Sequence, residues 1–329
     1  MLYYLQNVLL CQKKEGNALI CTLCPRKCSV ERSAQKHGFC GVGDALRVAR
    51  IALHPWEEPP ISGTRGSGTI FLCGCNLRCV FCQNREISHE MMGQEISEDA
   101  LAAAMLSLRD EGAHNINLVT PTHYLPPLRR VLERVKPTLG IPVVWNCGGY
   151  EDAELLSTLD GLVDIYLPDV KYYASELSKT LSGVADYYPV ALTALREMLR
   201  QQPTVRFDGD GMLQCGTVVR HLVLPGYRAD SISLLEALAR DVGSDRFLLS
   251  LMSQYTPEFA KNTPYKSLQR RLTDFEYRSV QERAVALGFD GFSQSRTSAS
   301  ASFTPAFSEK RQDAKPPSPP PSRTKGRSL

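Results

Sequence analysis

The sequence lacks long hydrophobic runs and a strong charge of either sign. None of its apolar segments reaches the roughly 18 residues that a membrane-spanning helix needs, so we expect no membrane partner. The 38 Lys and Arg residues nearly balance the 35 Asp and Glu residues, which leaves a net charge of +3. Such a balance gives no indication of binding to nucleic acid.

A recognisable export signal is also missing. The segment MLYYLQNVLLCQKKEGN is briefly apolar, but it has no basic leader, no small-residue cleavage site and no Arg-rich transit pattern. We therefore expect a cytoplasmic, reducing location. In that setting clustered cysteines bind metal more often than they form disulfides.

Composition divides the chain into three regions. Residues 1–60 hold five of the eleven cysteines and show little periodicity, which predicts a small Cys-rich, metal-binding N-terminal element. Residues 61–293 alternate apolar runs with helical patterns and form the predicted core. Residues 294–329 are rich in Pro, Ser and basic residues, and this composition predicts a disordered C-terminal tail.

Six apolar runs and six helical patterns alternate through the core. The runs are TIFL (69–72), INLV (116–119), PVVWN (142–146), VDIYLPDVK (163–171), VVRHLVLPG (218–226) and FLLSLM (247–252). The helical patterns cover residues 97–112, 125–136, 151–159, 188–201, 231–241 and 274–287. In the first pattern Ser97 is suited to cap a helix, and Leu101, Met105 and Leu108 form one apolar stripe.

Strand–helix units in series predict an α/β fold with parallel strands and right-handed crossovers. The strands are nearly continuous apolar runs, as expected when both faces of a sheet are covered. We predict a partial (β/α)6 barrel of the TIM type, with a doubly wound sheet as the alternative. In either fold the functional residues lie at the C-terminal ends of the strands.

The segment CGCNLRCVFCQN (73–84) places four cysteines within ten positions. A disulfide framework, a zinc knuckle and an iron–sulfur site all explain such crowding, although the expected reducing compartment argues against disulfides. Cys75, Cys79 and Cys82 have the spacing C-x3-C-x2-C, and Cys73 falls outside it. Three thiolates are one fewer than a closed zinc or cubane site needs. A 4Fe–4S cluster on this trio would keep one iron open, whereas a zinc knuckle would have to recruit Cys73.

The trio, with Phe81 before its last cysteine, resembles the hallmark of the radical S-adenosylmethionine (SAM) superfamily. The context GCNLRCVFCQN resembles the branch typified by the pyruvate formate-lyase activating enzyme. Residues from about 20 to 307 resemble a group of larger iron–sulfur homologues of those enzymes. The supporting stretches are CTLCPRKCSV, HPWEEPPISGTRGSGTIF, NINLVTPTHY, NCGGYED, YLPDVKYY, VRHLVLPG and LMSQYTP.

The resemblance implies an oxidoreductase. A 4Fe–4S cluster on Cys75, Cys79 and Cys82 would cleave SAM reductively, and the resulting radical would abstract hydrogen from a substrate. A glycyl-radical protein is the substrate that the resemblance suggests, and reduced flavodoxin or ferredoxin is the electron donor it suggests. A small molecule, an RNA or a peptide side chain is the alternative substrate. A zinc-binding scaffold without catalysis is the alternative from another functional class.

The resemblance also implies contacts to SAM at the ends of later strands. Thr120 would bind the amino group, Asn146 the carboxylate or the ribose, Asp169 the ribose hydroxyls and Lys171 the carboxylate end. The turn LVTPTHY departs from the family pattern because it lacks the usual Gly-Gly-Glu. Ordinary turns and a plain salt bridge are the alternative explanations. Arg220 or His221 is expected to face the barrel interior, the other being a core residue.

A second cysteine group precedes the core. Cys21, Cys24, Cys28 and Cys40 have the spacing C-x2-C-x3-C-x11-C. Four thiols suit a closed zinc site or a complete iron–sulfur ligand set, and an element this small needs metal to fold. We predict a second metal site here, with structural zinc or a rubredoxin-like iron preferred over an auxiliary cluster. The remaining cysteines, Cys11, Cys147 and Cys215, are predicted to be buried thiols without partners.

Overall fold

The computed structural model describes residues 20–32 and 35–293. The predictions of a tail at 294–329 and of a buried thiol at Cys11 lie outside these residues. In the described part of the chain, no helix is long and apolar enough to cross a membrane.

Ten strands form the sheet of the described chain. They are β1 (Arg47–His54), β2 (Ser67–Leu72), β3 (Gln94–Glu95), β4 (Ile116–Val119), β5 (Val143–Cys147), β6 (Ile165–Pro168), β7 (Arg206–Phe207), β8 (Leu213–Leu222), β9 (Leu248–Met252) and β10 (Gly291–Ser293). All six predicted strands are present, as β2, β4, β5, β6, β8 and β9.

Helices follow the parallel strands. They are α1 (Pro59–Ser62), α2 (Arg85–Ser88), α3 (Glu98–Asp110), α4 (Leu125–Leu139), α5 (Ala153–Ser157), α6 (Ser175–Ser182), α7 (Tyr187–Gln201), α8 (Arg228–Asp241) and α9 (Asp274–Ala286). The predicted cap of α3 is confirmed, because Oγ of Ser97 accepts a hydrogen bond from the backbone N–H of Ala100 at 3.1 Å. Its apolar stripe, Leu101, Met105 and Leu108, is buried as expected.

The strand order is β10-β9-β8-β6-β5-β4-β2-β1-β3, and β7 pairs with β8. From β2 to β10 each strand lies parallel to its neighbour and the strands follow in chain order. A doubly wound sheet would reverse its order at a switch point, and the described strands contain no such reversal. The prediction of a partial barrel is therefore confirmed, with β10 as an additional short strand.

Side chains alternate between two apolar layers along the parallel strands. Leu118, Trp145 and Val219 face outward and pack in the layers under the helices. Val144 and Val218 face inward and pack inside the barrel. Asn146 and Arg220 share the inward direction, because each lies two positions after one of these inward residues.

The connection between β1 and β2 closes the N-terminal end of the barrel. Ile61 of α1 is fully buried and packs against Val144. The amide of Asn115, just before β4, donates a hydrogen bond of 2.7 Å to the carbonyl of Ile61. Glu57 and Glu58 directly precede α1 and thereby reach the interior of the barrel from below.

Strand β1 lies within residues 1–60, the range that composition assigns to the N-terminal element. In the structure it pairs antiparallel with β2 and carries β3 on its other edge. All of its residues are half-buried, so the strand shows no clear apolar alternation from which it could have been predicted. The cysteine-bearing part before it, residues 20–32 and 35–46, contains short turns and an isolated bridge between Ile20 and Glu31 but no helix.

Candidate functional site

A cavity of about 220 Å³ lies at the C-terminal ends of the parallel strands. Its wall contains every residue that the sequence analysis assigned to the core cluster and to SAM, namely Cys75, Cys79, Cys82, Thr120, Asn146, Asp169 and Lys171. The chain supplies them from the ends of β2, β4, β5 and β6, so four successive connections meet at one place. The N-terminal cysteines are not part of this wall.

The three sulfurs in the loop after β2 each accept a hydrogen bond. The donors are the backbone N–H of Leu77 to Cys75 at 3.4 Å, Oγ of Ser88 to Cys82 at 3.3 Å and Oγ of Ser182 to Cys79 at 2.9 Å. The last of these ties the loop to the end of α6. Hydrogen bonds to sulfur help to set the reduction potential of an iron–sulfur cluster, so these donors suit that role.

The chemistry of this donor set fits a cluster on three thiolates. Burial, followed by the neighbouring sulfurs of Cys79 and Cys82, raises the pKa of Cys75 to about 12. Burial and Cys79 likewise raise the pKa of Cys82. These thiols bind metal as thiolates, so loading would displace protons. Within residues 20–32 and 35–293, no three His, Cys, Asp or Glu side chains converge as ligands of a single ion.

Cys73 turns away from the trio. Its thiol donates a hydrogen bond of 3.2 Å to the carbonyl of Met92, and it is absent from the cavity wall. A Cβ atom at Gly93 would lie only 2.3 Å from this sulfur, so the glycine makes room for it. A zinc knuckle needs Cys73 as its fourth ligand, and this placement argues against that alternative.

Thr120 has an unusual backbone conformation at the end of β4. Its φ angle is +60°, in the left-handed region that β-branched residues rarely adopt. The backbone N–H of Thr120 donates to the carbonyl of Asn146 at 2.8 Å, which fixes two wall residues to each other. Local strain of this kind clusters at binding sites, where the surrounding structure stabilises it.

A chain of partly buried charges crosses the floor of the cavity. Nζ of Lys171 donates to Oδ2 of Asp169 at 2.7 Å, and Nε of Arg220 donates to Oδ1 of Asp169 at 2.7 Å. Nη1 of Arg220 donates to Oε2 of Glu57 at 3.0 Å, and Nη2 donates to Oδ1 of Asn146 at 2.6 Å. The guanidinium therefore holds two acids and one amide in fixed positions.

This network keeps Asp169 and Lys171 charged. Burial alone would raise the pKa of Asp169, but Arg220 and Lys171 outweigh burial, and the net direction is downward. Burial would lower the pKa of Lys171, but the carboxylate of Asp169 outweighs it, and the net direction is upward. The wall thus presents a carboxylate and an ammonium group side by side at the end of β6.

Gly149 allows the loop after β5 to lie against the same place. Its φ angle is +77°, and a Cβ atom there would lie 2.4 Å from the carbonyl oxygen of Asp169. The hydroxyl of Tyr187 donates to that carbonyl at 2.7 Å. The second glycine in NCGGYED is therefore required by the close approach of two loops and by its positive φ angle.

Glu57 and Glu58 are wall residues that the sequence analysis did not identify. Oε1 of Glu57 accepts hydrogen bonds from the amides of Asn117 at 3.1 Å and Asn146 at 3.3 Å. Oε1 of Glu58 accepts one from Oγ of Ser250 at 3.0 Å. The stretch HPWEEPPISG is part of the family resemblance, but two acids next to two prolines do not by themselves predict burial.

Arg220 and His221 divide as expected, one inward and one into the core. His221 is buried, with Nδ1 against the carbonyl of Val170 at 2.8 Å and Nε2 against Oγ of Ser231 at 2.9 Å. Because a carbonyl only accepts, Nδ1 carries the proton and Ser231 donates to Nε2. Burial lowers the pKa of His221 to about 4, so the ring is neutral.

The N-terminal cysteines form a separate group beside the cavity. Burial raises the pKa of Cys24 to about 12, with the sulfurs of Cys40 and Cys21 adding to the rise. Burial also raises the pKa of Cys40, and Cys21 and Cys28 act in the same direction against Arg32. Cys21, Cys24 and Cys28 thus each lie within electrostatic reach of Cys40, although within the described residues the four thiols do not converge as ligands of one ion.

This N-terminal group adjoins the cluster loop. The backbone N–H of Cys75 donates to the carbonyl of Cys40 at 3.2 Å, and Nε of Arg26 donates to the carbonyl of Asn76. Nη2 of Arg26 donates to the carbonyl of Ser182 at 2.8 Å, at the helix end that also contacts Cys79. The N-terminal element therefore packs directly on the loop that carries the trio.

The remaining cysteines differ from each other. Cys147 is buried at the cavity wall, as predicted, and burial raises its pKa well above the ordinary value. The prediction for Cys215 is wrong. Its side chain is partly exposed and its Sγ lies 3.6 Å from the carbonyl of Thr204, because the short strand β7 covers this end of β8 only in part.

The sequence matches a family model described as "Radical SAM superfamily" over residues 69–233, just over half of the chain. This range begins in β2 and ends in α8, so it includes every cavity residue that the sequence analysis had assigned.

Two proteins of Methanocaldococcus jannaschii are relatives of the chain. The uncharacterized protein MJ0674 is 29% identical over 279 residues, which are 82% of this chain and 75% of that protein. The uncharacterized protein MJ0808 is 29% identical over 119 residues, which are 30% of this chain and 35% of that protein.

Solved structures with similar folds include methylornithine synthase (PylB), at a TM-score of 0.45 and 16% identity over 64% of this chain and 59% of that one. Another is SuiB of Streptococcus suis, at a TM-score of 0.47 and 13% identity over 70% of this chain and 48% of that one. A second SuiB structure, bound to S-adenosylmethionine, has a TM-score of 0.45 and 13% identity over 67% of this chain and 48% of that one. The chain thus spans less than two thirds of the length of these structures.

Proposed function

Because this chain belongs to the radical SAM superfamily, we propose that it is an enzyme that binds a 4Fe–4S cluster and SAM and abstracts hydrogen from a substrate. One observation carries the proposal. The cysteine trio and the four residues assigned to SAM line a single cavity at the C-terminal ends of the strands, which is where barrel enzymes hold their active sites.

Cys75, Cys79 and Cys82 would hold the cluster as thiolates. When bound, the cluster would supply the electron that cleaves SAM reductively and so provides a carbon radical for hydrogen abstraction. That chemistry belongs to the cofactors, and the protein contributes binding, orientation and exclusion of water. The donors at Leu77 N and at the hydroxyls of Ser88 and Ser182 would support the sulfurs.

The polar wall residues retain hydrogen-bonding capacity for SAM. Each oxygen of Asp169 accepts one hydrogen bond from a cation and has a lone pair left for a ribose hydroxyl. Nζ of Lys171 donates once to Asp169 and can donate further to a carboxylate. The amide of Asn146 is oriented by Arg220 and Glu57, and Thr120 is held beside it.

Part of the cavity wall is apolar. Phe71, Val119, Met252 and Tyr255 line it, and the ring of Tyr255 meets that of Phe81 edge to face at 6.3 Å. Such a wall would keep water away from a reactive radical, which side reactions with solvent would otherwise consume.

Anaerobic reconstitution tests the proposal. The full chain is loaded with iron and sulfide, reduced with dithionite and mixed with SAM, and 5′-deoxyadenosine is quantified. We expect product from the wild type and its loss in Cys75→Ala, Cys79→Ala and Cys82→Ala. Cys215→Ala is the matched control, because that thiol lies outside the cavity, and it should behave as wild type. A wild type that forms no product under strong reduction would refute the proposal.

A glycyl-radical protein as substrate, and reduced flavodoxin or ferredoxin as donor, remain predictions from the resemblance. Mixing the reduced enzyme and SAM with candidate glycyl-radical proteins would test the first, with an organic radical signal in the partner as the positive outcome. Replacing dithionite by a reduced flavodoxin or ferredoxin tests the second, with 5′-deoxyadenosine as the readout.

The second metal site at Cys21, Cys24, Cys28 and Cys40 is part of the proposal. Cys21, Cys24 and Cys28 each lie near Cys40, and the backbone carbonyl of Cys40 contacts the cluster loop. Metal analysis of anaerobically purified protein distinguishes zinc from iron in excess of one cube. Cys24→Ser together with Cys28→Ser should remove that extra metal and leave the iron of the core trio.

A further inference from the structure

The acids that reach the cavity from below are not all balanced by cations. Glu57, Glu58 and Asp169 line the wall together with Lys171 and Arg220, which gives three carboxyl groups and two permanent cations among the lining residues. His54 adds no charge, because burial lowers its pKa to about 4. One acid is therefore left over, apart from the cysteines assigned to the cluster, and burial raises the pKa of Glu57 and Glu58, so without a further cation this acid tends to hold a proton.

Hydrogen bonding identifies Glu58 as the acid in excess. Both oxygens of Asp169 are held by cations, and both oxygens of Glu57 accept hydrogen bonds, one of them from Arg220. The carboxyl group of Glu58 accepts hydrogen bonds from the hydroxyl of Ser250, at Oε1, and from its own backbone N–H. Oε2 of Glu58 is buried and has no partner within the described residues, and the residue as a whole is only 7% exposed.

A second buried acceptor without a donor among the described residues belongs to Asn117, the residue that donates to Glu57. The amide nitrogen of Asn117 donates to Glu57, and its Oδ1 is buried without a partner in the described part of the chain. Buried acceptors without donors are costly, and they are rare unless a ligand or water completes them. Among the described residues Glu58 thus has no ion-pair partner and no donor at Oε2, and a cationic donor would supply both.

We propose that Glu58 binds a positively charged amine of the substrate, so that the enzyme acts on a molecule or side chain that carries an ammonium group. This inference rests on the proposed function, because only an enzyme has a substrate to bind at this site. An ammonium group presents three N–H donors and one positive charge, and a buried carboxylate with a vacant oxygen complements both. Glu58 enters the barrel from its N-terminal end, and the cysteine trio lies at the C-terminal ends of the strands. The amine would therefore lie deeper in the barrel than the reacting carbon.

The test measures binding in the oxidised, cluster-loaded chain and needs no turnover. The probes are propylammonium, its neutral analogue 1-propanol and tetramethylammonium, a cation without N–H donors. Anaerobic thermal denaturation at constant ionic strength and pH 7 gives a dissociation constant from the concentration dependence of the stabilisation. We expect propylammonium to stabilise the wild type and the other two probes to have no effect.

Glu58→Gln keeps the shape of the side chain and removes its charge. We expect it to weaken propylammonium binding at least about tenfold, as the loss of a charge-assisted hydrogen bond predicts. Ser250→Ala removes the present partner of Glu58 without touching the carboxylate, so it should bind the probe as tightly as wild type or more tightly. Glu111→Gln, an exposed acid on the outside of the barrel, should bind as wild type.

Three outcomes would overturn the proposal: no stabilisation of the wild type by propylammonium, equal binding by Glu58→Gln, or equal weakening by Ser250→Ala. The first would mean that ordered water supplies the hydrogen bonds that Glu58 lacks. The last would mean that packing around Glu58, and not its charge, determines binding of the probe. Because 5′-deoxyadenosine formation is measured separately, a wild type that cleaves SAM but does not bind the probe would refute the amine site alone. A wild type that binds the probe but does not cleave SAM would refute the proposed function alone.

Discussion

Nε of Arg220 donates a hydrogen bond of 2.7 Å to Oδ1 of Asp169. The bond joins an inward residue of β8 to the residue that follows β6, at an isolated bridge between the two segments. The same guanidinium holds Glu57, which comes from the segment that closes the bottom of the barrel. One side chain therefore links the wall of the site to its floor.

The first prediction concerns this link. Arg220→Met should lower the free energy of unfolding by about 3 kcal/mol, because it leaves the largely buried Glu57 without its cation and Asp169 with Lys171 alone. Urea denaturation of the metal-free chain measures the change. Arg196→Met, which removes an exposed arginine of α7, is the control and should cost less than about 1 kcal/mol. Equal stability of the two variants would contradict the prediction, whereas Arg220→Met with Glu57→Gln should recover part of the loss.

Local patterns in the sequence predicted most of the barrel. The parallel strands are short apolar runs bounded by helical patterns, and each such run was found close to its predicted place. Because every strand ends at the same edge of the sheet, the motif residues after them had to meet there. That rule, with the C-x3-C-x2-C spacing and the resemblance, brought Cys75, Asn146 and Asp169 into one site.

The missed residues depend on contacts between distant parts of the chain. Glu57 and Arg220 are 163 positions apart, and nothing near Glu57 indicates that a short helix carries it into the barrel. Strand β1 was missed for a related reason, since it lies at an edge and its residues are all half-buried. The partial exposure of Cys215 likewise depends on how little β7 covers.

Lys171 provides the second prediction. Lys171→Met should weaken the binding of SAM to the cluster-loaded protein about tenfold, because it removes a charged donor from the cavity wall. Asp169 keeps its bond from Arg220 in this variant, so the wall itself should persist. Equilibrium dialysis under anaerobic conditions gives the affinity. Lys179→Met, on the exposed side of α6, should bind SAM as wild type, and an unchanged affinity in Lys171→Met would exclude the assigned contact.

The third prediction concerns the pH dependence of stability. His221 has a pKa of about 4 in the folded chain because of burial, against about 6.5 when unfolded. Its contribution is complete above about pH 6.5, and it is lost as the pH falls toward about 4, since only the unfolded ring then takes up a proton. The loss is at most about 3 kcal/mol.

His221→Gln should therefore flatten the decline in unfolding free energy between pH 6.5 and 4, measured by urea denaturation at several pH values. The decline will not vanish, because burial also lowers the pKa of His54 to about 4 and that of His123 to about 3. The exposed His37→Gln is the control and should keep the wild-type slope. An identical slope in His221→Gln would show that this ring is not neutral in the fold.

Arg26 gives the last prediction, which concerns coupling between the two cysteine groups. It lies over the ring of Phe39 at 3.4 Å and donates to backbone carbonyls of Asn76 and Ser182, so it fastens the N-terminal element to the cluster loop. Arg26→Met should release that loop and accelerate the loss of iron to a chelator several-fold, because local opening then breaks fewer hydrogen bonds. Bleaching of the cluster absorbance measures the rate.

Arg85→Met, beside the same loop but exposed, should lose iron at the wild-type rate. Equal rates in all three proteins would mean that the N-terminal element packs on the loop without stabilising it.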